Sequence, residues 1–146
     1  MVGKKKFVLL GIVAAVVAAV FFSLLLLFNP AFSLSMSGKT VIYSEKVTFE
    51  STDYRVYVTE KDGELGITAY INDGFLSSPR EAGLGTSDEN YAHYILGITG
   101  VKNERPFADT YQVYAVKDER KDLQGEVISD NGFEYNGESY RLIYLK

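Results

Sequence analysis

The sequence predicts an N-terminal transmembrane α-helix followed by an all-β, mainly antiparallel extracytoplasmic domain. That domain is expected to be a β-sandwich or a small barrel of about 7–8 strands. Three observations predict it. The stretch Phe7 to Phe28 holds no charge. All 11 tyrosines fall after residue 42, among valines and isoleucines. Glycine-containing turn signals then recur at short intervals to the C-terminus.

The first segment reads FVLLGIVAAVVAAVFFSLLLLF, in which Ser23 is the only polar side chain. A helix of 22 residues is about 33 Å long, enough to cross a bilayer core. Lys4, Lys5 and Lys6 precede it, and the next charge is Lys39. The basic flank is retained on the cytoplasmic side, so the C-terminal domain is expected outside. Asn29-Pro30 is expected to end the helix, because proline lacks an N–H. The divisions predicted are a cytoplasmic tail at 1–6, a transmembrane helix at 7–28, a linker at 29–38 and a β-domain at 39–146. Ala31-Phe32-Ser33 also suits a small-x-small cleavage site, which would release a secreted protein after Ser33. The apolar run exceeds the usual signal-peptide core, which favours an anchor. Within the helix Gly11, Ala15, Ala19 and Ser23 recur every four residues, a spacing that suits close helix–helix packing and a helix-mediated homo-oligomer.

The β-domain elements follow in order. Thr40 to Tyr43 and Lys46 to Glu50 are expected as a first strand pair. Tyr54 to Thr59 places Tyr54, Val56 and Val58 on one face and Arg55, Tyr57 and Thr59 on the other. A turn at Lys61-Asp62-Gly63-Glu64 leads to a strand from Leu65 to Ile71, closed by Asn72-Asp73-Gly74. Ser77 to Glu89 is expected as a long polar loop. Near 88–92 a short helical turn is expected, capped by Ser87-Asp88, then a strand from His93 to Thr99. Gly100 to Asp109 is expected as a second long loop, followed by a strand from Thr110 to Val116. Gly125 to Ser129 reads as a short strand ended by a turn at Asp130-Asn131-Gly132. The last hairpin joins Phe133–Tyr135 to Ser139–Leu145 through Asn136-Gly137, the preferred centre of a type I′ turn.

Charge narrows the partners. The net charge of −4 hides a partition, since three of the 15 basic residues are Lys4–Lys6 and all 19 acids lie after residue 44. The β-domain therefore carries 12 basic and 19 acidic residues, a net charge of −7. Such a surface repels phosphate backbones, so no nucleic acid is expected as a partner. No cysteine is present, which excludes disulfides, cysteine-based zinc sites and thiol nucleophiles.

Catalytic patterns are scarce. His93 is the only histidine, and within a strand-like run it reads as a hydrogen-bonded structural residue. No Gly-x-Ser-x-Gly or Ser-x-x-Lys motif appears. Asp88-Glu89, Asp118-Glu119 and Asp122 could act as paired carboxylates only by residue type. The Asp/Asn-Gly triplets are better read as turns than as calcium loops, and the run from Lys117 to Asp122 as a solvated connection. No cofactor, no metal site and no catalytic residue are expected.

The residues left for contact are Tyr57 and Tyr114, each opposite the apolar stripe of its strand, and Arg80, Lys102, Arg105 and Phe107 in the two long loops. With KKKFVLLGIVAAVVAAVFF at the start and LQGEVISDNGFEYNG near the end, the layout resembles small single-pass, membrane-anchored β-ectodomain proteins of Gram-positive bacteria. The resemblance implies a cell-membrane protein and carries no functional residues with it. The expected function is a membrane-anchored binding or regulatory module of the cell envelope, with a protein or cell-wall partner. The alternatives are a small envelope hydrolase, an enzyme inhibitor, or a secreted effector.

Overall fold

The computed structural model describes residues 2–71, 80–81, 83–87, 91–102, 104–117 and 123–146. It opens with helix α1, Val2–Phe28, and a short helix α2, Pro30–Met36. Nine strands follow: β1 Thr40–Phe49, β2 Thr52–Lys61, β3 Glu64–Ile71, β4 Arg80–Glu81, β5 Gly83–Ser87, β6 Tyr91–Lys102, β7 Arg105–Lys117, β8 Val127–Tyr135 and β9 Glu138–Leu145. They make two antiparallel sheets, ordered β1-β2-β3-β4 and β5-β6-β7-β9-β8.

Helix α1 is long and apolar enough to cross a membrane over Gly3–Phe28, and its most apolar 18-residue stretch has no buried residue. It begins before residue 7 because nothing in Gly3-Lys4-Lys5-Lys6 breaks a helix. Ser23 Oγ donates to the Ala19 carbonyl at 2.8 Å, which satisfies its hydroxyl within the helix.

Asn29-Pro30 ends α1, but the stretch expected as a linker folds. Asn29 caps α2 by accepting from the Phe32 N–H at 3.1 Å, and Pro30 stands in the first turn, where its missing N–H costs nothing. Phe32 packs edge-on against Phe22 with ring centroids 5.4 Å apart, which ties the two helices together. Leu34 is buried, and Lys61 Nζ donates to the Ser37 carbonyl at 3.3 Å, so α2 also docks on the β-domain.

The core lies between the sheets. Phe49, Tyr54, Val56, Val58, Leu65, Ile67 and Ala69 come from the first sheet. Ala92, Tyr94, Leu96, Tyr111, Val113, Ala115, Phe133, Tyr140, Leu142 and Tyr144 come from the second. In β2, β3, β7 and β9 the residues of this main core follow the period of two that the sequence shows, while Tyr57, Thr59, Thr68, Val116, Ile143 and Leu145 are buried on the opposite faces. A second cluster of Val116, Ile143 and Leu145 lies on the outer face of the larger sheet, with Tyr91, Tyr114 and Leu123 against it.

Two-residue turns with positive φ at both positions join three hairpins: Glu50-Ser51, Asp62-Gly63 and Asn136-Gly137. Their twist matches that of the flanking strands, as the Asn136-Gly137 pair foretold.

Several sequence expectations need correction. Thr40–Tyr43 and Lys46–Glu50 do not pair with each other. They belong to one strand, β1, because Ser44 and Glu45 pair regularly with Tyr57 and Val56 across the apparent break, and its partner is β2. Asp130-Asn131-Gly132 is no turn but the middle of β8, because ladder pairing to Ile143, Leu142 and Arg141 overrides its local turn preference. Gly100–Asp109 is no loop but the end of β6 and the start of β7, paired from Gly100↔Phe107 to Lys102↔Arg105. The long loop expected at 77–89 contains β4 and β5, and its residues 77–79, 82, 88 and 89 lie outside the described residues. The turn at 72–74 and the run at 118–122 lie outside them too. Tyr91 and Ala92, expected in a helical turn, begin β6.

The two sheets join at two places. One is the chain stretch 80–87, whose start pairs with β3 (Tyr70↔Glu81) and whose end pairs with β6 (Gly85↔Tyr94). Gly85 makes this corner possible. A Cβ there would stand 2.9 Å from Tyr94 Cδ2 and 3.0 Å from the Ile67 carbonyl oxygen, so only glycine lets β5 lie this close to β3. The other is the seam between the edge strands β1 and β8, which form no backbone ladder with each other and meet through side chains.

Candidate functional site

The seam holds the densest unusual chemistry among the described residues. Along β1 the residues Tyr43, Glu45, Val47 and Phe49 share the face that looks toward the core, since they stand opposite Val58, Val56, Tyr54 and Thr52 of β2. A carboxylate thus sits in an otherwise apolar stripe. From β8, Ser129, Asn131 and Phe133 face it, opposite Tyr144, Leu142 and Tyr140 of β9.

Side-chain contacts close the seam. The rings of Tyr43 and Phe133 stack with centroids 4.8 Å apart and planes 10° apart. Asn131 Nδ2 donates to Glu45 Oε2 at 2.9 Å and to Ser129 Oγ at 3.2 Å. The Tyr43 hydroxyl donates to the same Glu45 oxygen at 3.1 Å. At one end of the seam the Tyr135 hydroxyl reaches Glu60 Oε2 at 3.5 Å, the outer limit for such a bond.

The satisfaction is one-sided. Glu45 Oε1 and the Tyr144 hydroxyl are both buried, and neither makes a hydrogen bond of ordinary geometry. No lysine or arginine among the described residues pairs with Glu45. A buried carboxylate normally finds a cation or several donors, and a buried hydroxyl a partner. Burial pushes the Tyr144 phenol far above its usual range, and the nearby Glu45 carboxylate pushes it the same way. Tyr43 is raised for the same two reasons in the same order. The seam therefore stays protonated at its phenols and holds an incompletely partnered carboxylate against aromatic rings. That arrangement suits recognition of a cationic group.

The residues singled out from sequence lie elsewhere. Tyr57 is buried, at 7% exposure, against Tyr70, with centroids 6.0 Å apart, and burial raises its phenol pKa. Tyr114 stacks on His93 at 4.4 Å and donates to Gln112 Oε1 at 2.9 Å on the outer face of the larger sheet. His93 Nε2 is buried there without a partner among the described residues. Arg105 is exposed at the start of β7. Arg80, Lys102 and Phe107 stand in β4, β6 and β7, and their side chains lie outside the described residues. Gly11, Ala15, Ala19 and Ser23 are exposed along α1. Reasoning from sequence missed Glu45, Asn131 and Tyr144 as a group. The available signal was parity, since Glu45 is the one charge in the stripe Tyr43-x-Glu45-x-Val47-x-Phe49.

Among the described residues no group of three or more His, Cys, Asp or Glu side chains is placed to hold a metal. Comparison of the chain with protein-family models, with curated proteins and with solved structures finds no match.

Proposed function

We propose that the protein is a binding or regulatory module held at the cell membrane by α1, with a sandwich-like or barrel-like β-domain outside, in the bacterial cell envelope. The observation that carries this reading is the environment of α1. Apart from the contact of Phe22 with Phe32 near its C-terminal end, its apolar surface is left exposed by the rest of the chain. A helix that is apolar all round belongs in a protein core or in lipid, and this one is in no core of its own chain. Twenty-six residues span about 39 Å, sufficient for the hydrocarbon layer with some tilt. The three lysines at its start favour an inward N-terminus.

The fold around Ser33 supports retention over release. Ala31, Phe32 and Ser33 lie inside α2, next to buried Leu34, whereas proteolysis favours exposed, irregular backbone. The binding part of the reading rests on the seam and its incompletely partnered carboxylate, with protein or cell-wall components as the classes of partner.

Topology is directly testable because the chain has no cysteine. Lys4→Cys and Thr40→Cys each introduce a unique label site. In intact cells lacking an outer membrane, a membrane-impermeant maleimide is expected to label Thr40→Cys and not Lys4→Cys, on protein of full-length mass. The reverse labelling, or a mass shortened to Leu34, overturns the anchored reading.

A further inference from the structure

We infer that the β1–β8 seam is a docking site for an extended polypeptide strand that presents a lysine or arginine to Glu45. The inference deepens the binding-module reading and does not depend on the membrane anchor. It starts from a contrast in how the strands are held. Within each sheet every neighbouring pair is joined by a backbone ladder, whereas β1 and β8 meet across the two sheets without one. Each therefore keeps one edge of N–H and C=O groups free of ladder partners, which is the template that strand addition uses. What closes the seam is one ring stack and a few side-chain hydrogen bonds, each of modest net worth.

The side chains inside the seam define the guest. Glu45 Oε1 and the Tyr144 hydroxyl are buried and make no hydrogen bond of ordinary geometry, the phenol only adjoining the Glu45 carboxylate, and no lysine or arginine among the described residues pairs with Glu45. An ammonium or guanidinium entering between β1 and β8 would meet a carboxylate oxygen, a phenol oxygen and the Tyr43 and Phe133 rings. Two residues away on either side, an inserted strand would face Tyr43 and Val47 of β1 and Ser129 and Phe133 of β8. The expected guest motif is apolar-x-Lys/Arg-x-apolar, with the intervening positions unconstrained. The acidic balance of the domain, 19 acids against 12 bases after residue 38, favours the approach of such a segment.

The test uses the full chain in lipid nanodiscs. A displayed library of random nonapeptides is selected on it, and enriched peptides are synthesised. Amide exchange then reports where each one binds. The expected result is enrichment of the stated motif and protection of edge amides in β1 and β8. Glu45→Gln is expected to weaken binding by about thirtyfold, as loss of one member of a buried charge pair does. Replacing the peptide's basic residue by norleucine is expected to do the same, and that change cannot perturb the protein's folding. Failure to enrich, enrichment without a basic residue, or equal affinity for Glu45→Gln overturns the inference. So does protection of β1 and β8 that grows with protein concentration alone, because the seam would then take a second copy. Peptides that bind and protect another surface would sink the seam while leaving the binding-module reading standing.

Discussion

The corner at 80–87 and the seam at β1–β8 join the same two sheets by different means. At the corner one short stretch of backbone pairs with β3 at its start and with β6 at its end, and a glycine lets it pass. At the seam two edge strands meet through rings, an amide and a carboxylate. Backbone pairing leaves little freedom, since each ladder bond depends on its neighbours. Side-chain closure leaves two buried oxygens without a hydrogen bond of ordinary geometry. The candidate site therefore lies where the sheets meet through side chains and not through a backbone ladder.

The largest expected effect breaks the corner. Gly85→Ala puts a methyl group against the Tyr94 ring and the Ile67 carbonyl, and should destabilise the domain by about 1–3 kcal/mol in chemical denaturation. A change under about 0.3 kcal/mol would show that β5 can shift freely and that the corner is not the rigid junction.

The next pair sharpens the seam. Asn131→Ala removes a donor from a buried carboxylate and should cost about 1–2 kcal/mol. Glu45→Leu removes the charge itself and should lie within about 1 kcal/mol of the parent, or stabilise it. If both substitutions destabilise equally, Glu45 contributes to closure and is not an incompletely satisfied site.

The smallest effect concerns alkaline pH. Tyr144 and Tyr43 have phenols raised above the ordinary value of 10.0 in the folded state. The unfolded chain releases those protons first. Their contribution is therefore complete below pH 10.0 and is lost as pH rises toward the folded values. Stability should fall above that pH, and Tyr144→Phe should flatten the slope while costing at most about 1 kcal/mol at neutral pH, because the hydroxyl adjoins the Glu45 carboxylate without a hydrogen bond of ordinary geometry. Ultraviolet titration of the phenolates alongside unfolding would reveal this. An unchanged slope in Tyr144→Phe would place the seam in contact with solvent.

Parts of this molecule were legible because the deciding forces are local. Phe7–Phe28 is helical and apolar by composition alone, and Asn29-Pro30 stops it by backbone chemistry. Tyr54–Val58 and Leu65–Ala69 alternate, so their buried faces could be named. Asn136-Gly137 specifies its own turn. Where local preference met long-range pairing, it lost. Asp130-Asn131-Gly132 prefers a turn but lies in β8 because β9 pairs with it along its length. Gly100–Asp109 looked like a loop because its glycine, proline and charges break the alternation, yet ladder bonds hold it in β6 and β7.

The candidate site was hidden for the same reason. Glu45 was read as part of a break between two short strands, which concealed that it shares a face with Tyr43, Val47 and Phe49. Its neighbours Asn131 and Tyr144 are 86 and 99 residues away in the chain, and only the closing of one sheet on the other brings them near. Tyr57 shows the converse, since parity placed it on the outer face correctly but could not say that Tyr70 would lie against it there.

The sequence by itself determined the apolar helix, the β character of the rest, the turn at Asn136-Gly137 and the faces of the regular strands. Each of these follows from residue chemistry within a few positions of the chain. Only the tertiary structure decided the strand order, the corner at Gly85 and the carboxylate in the seam. Those depend on which backbone edges meet, and pairing is chosen by the burial and hydrogen bonding of residues far apart in sequence.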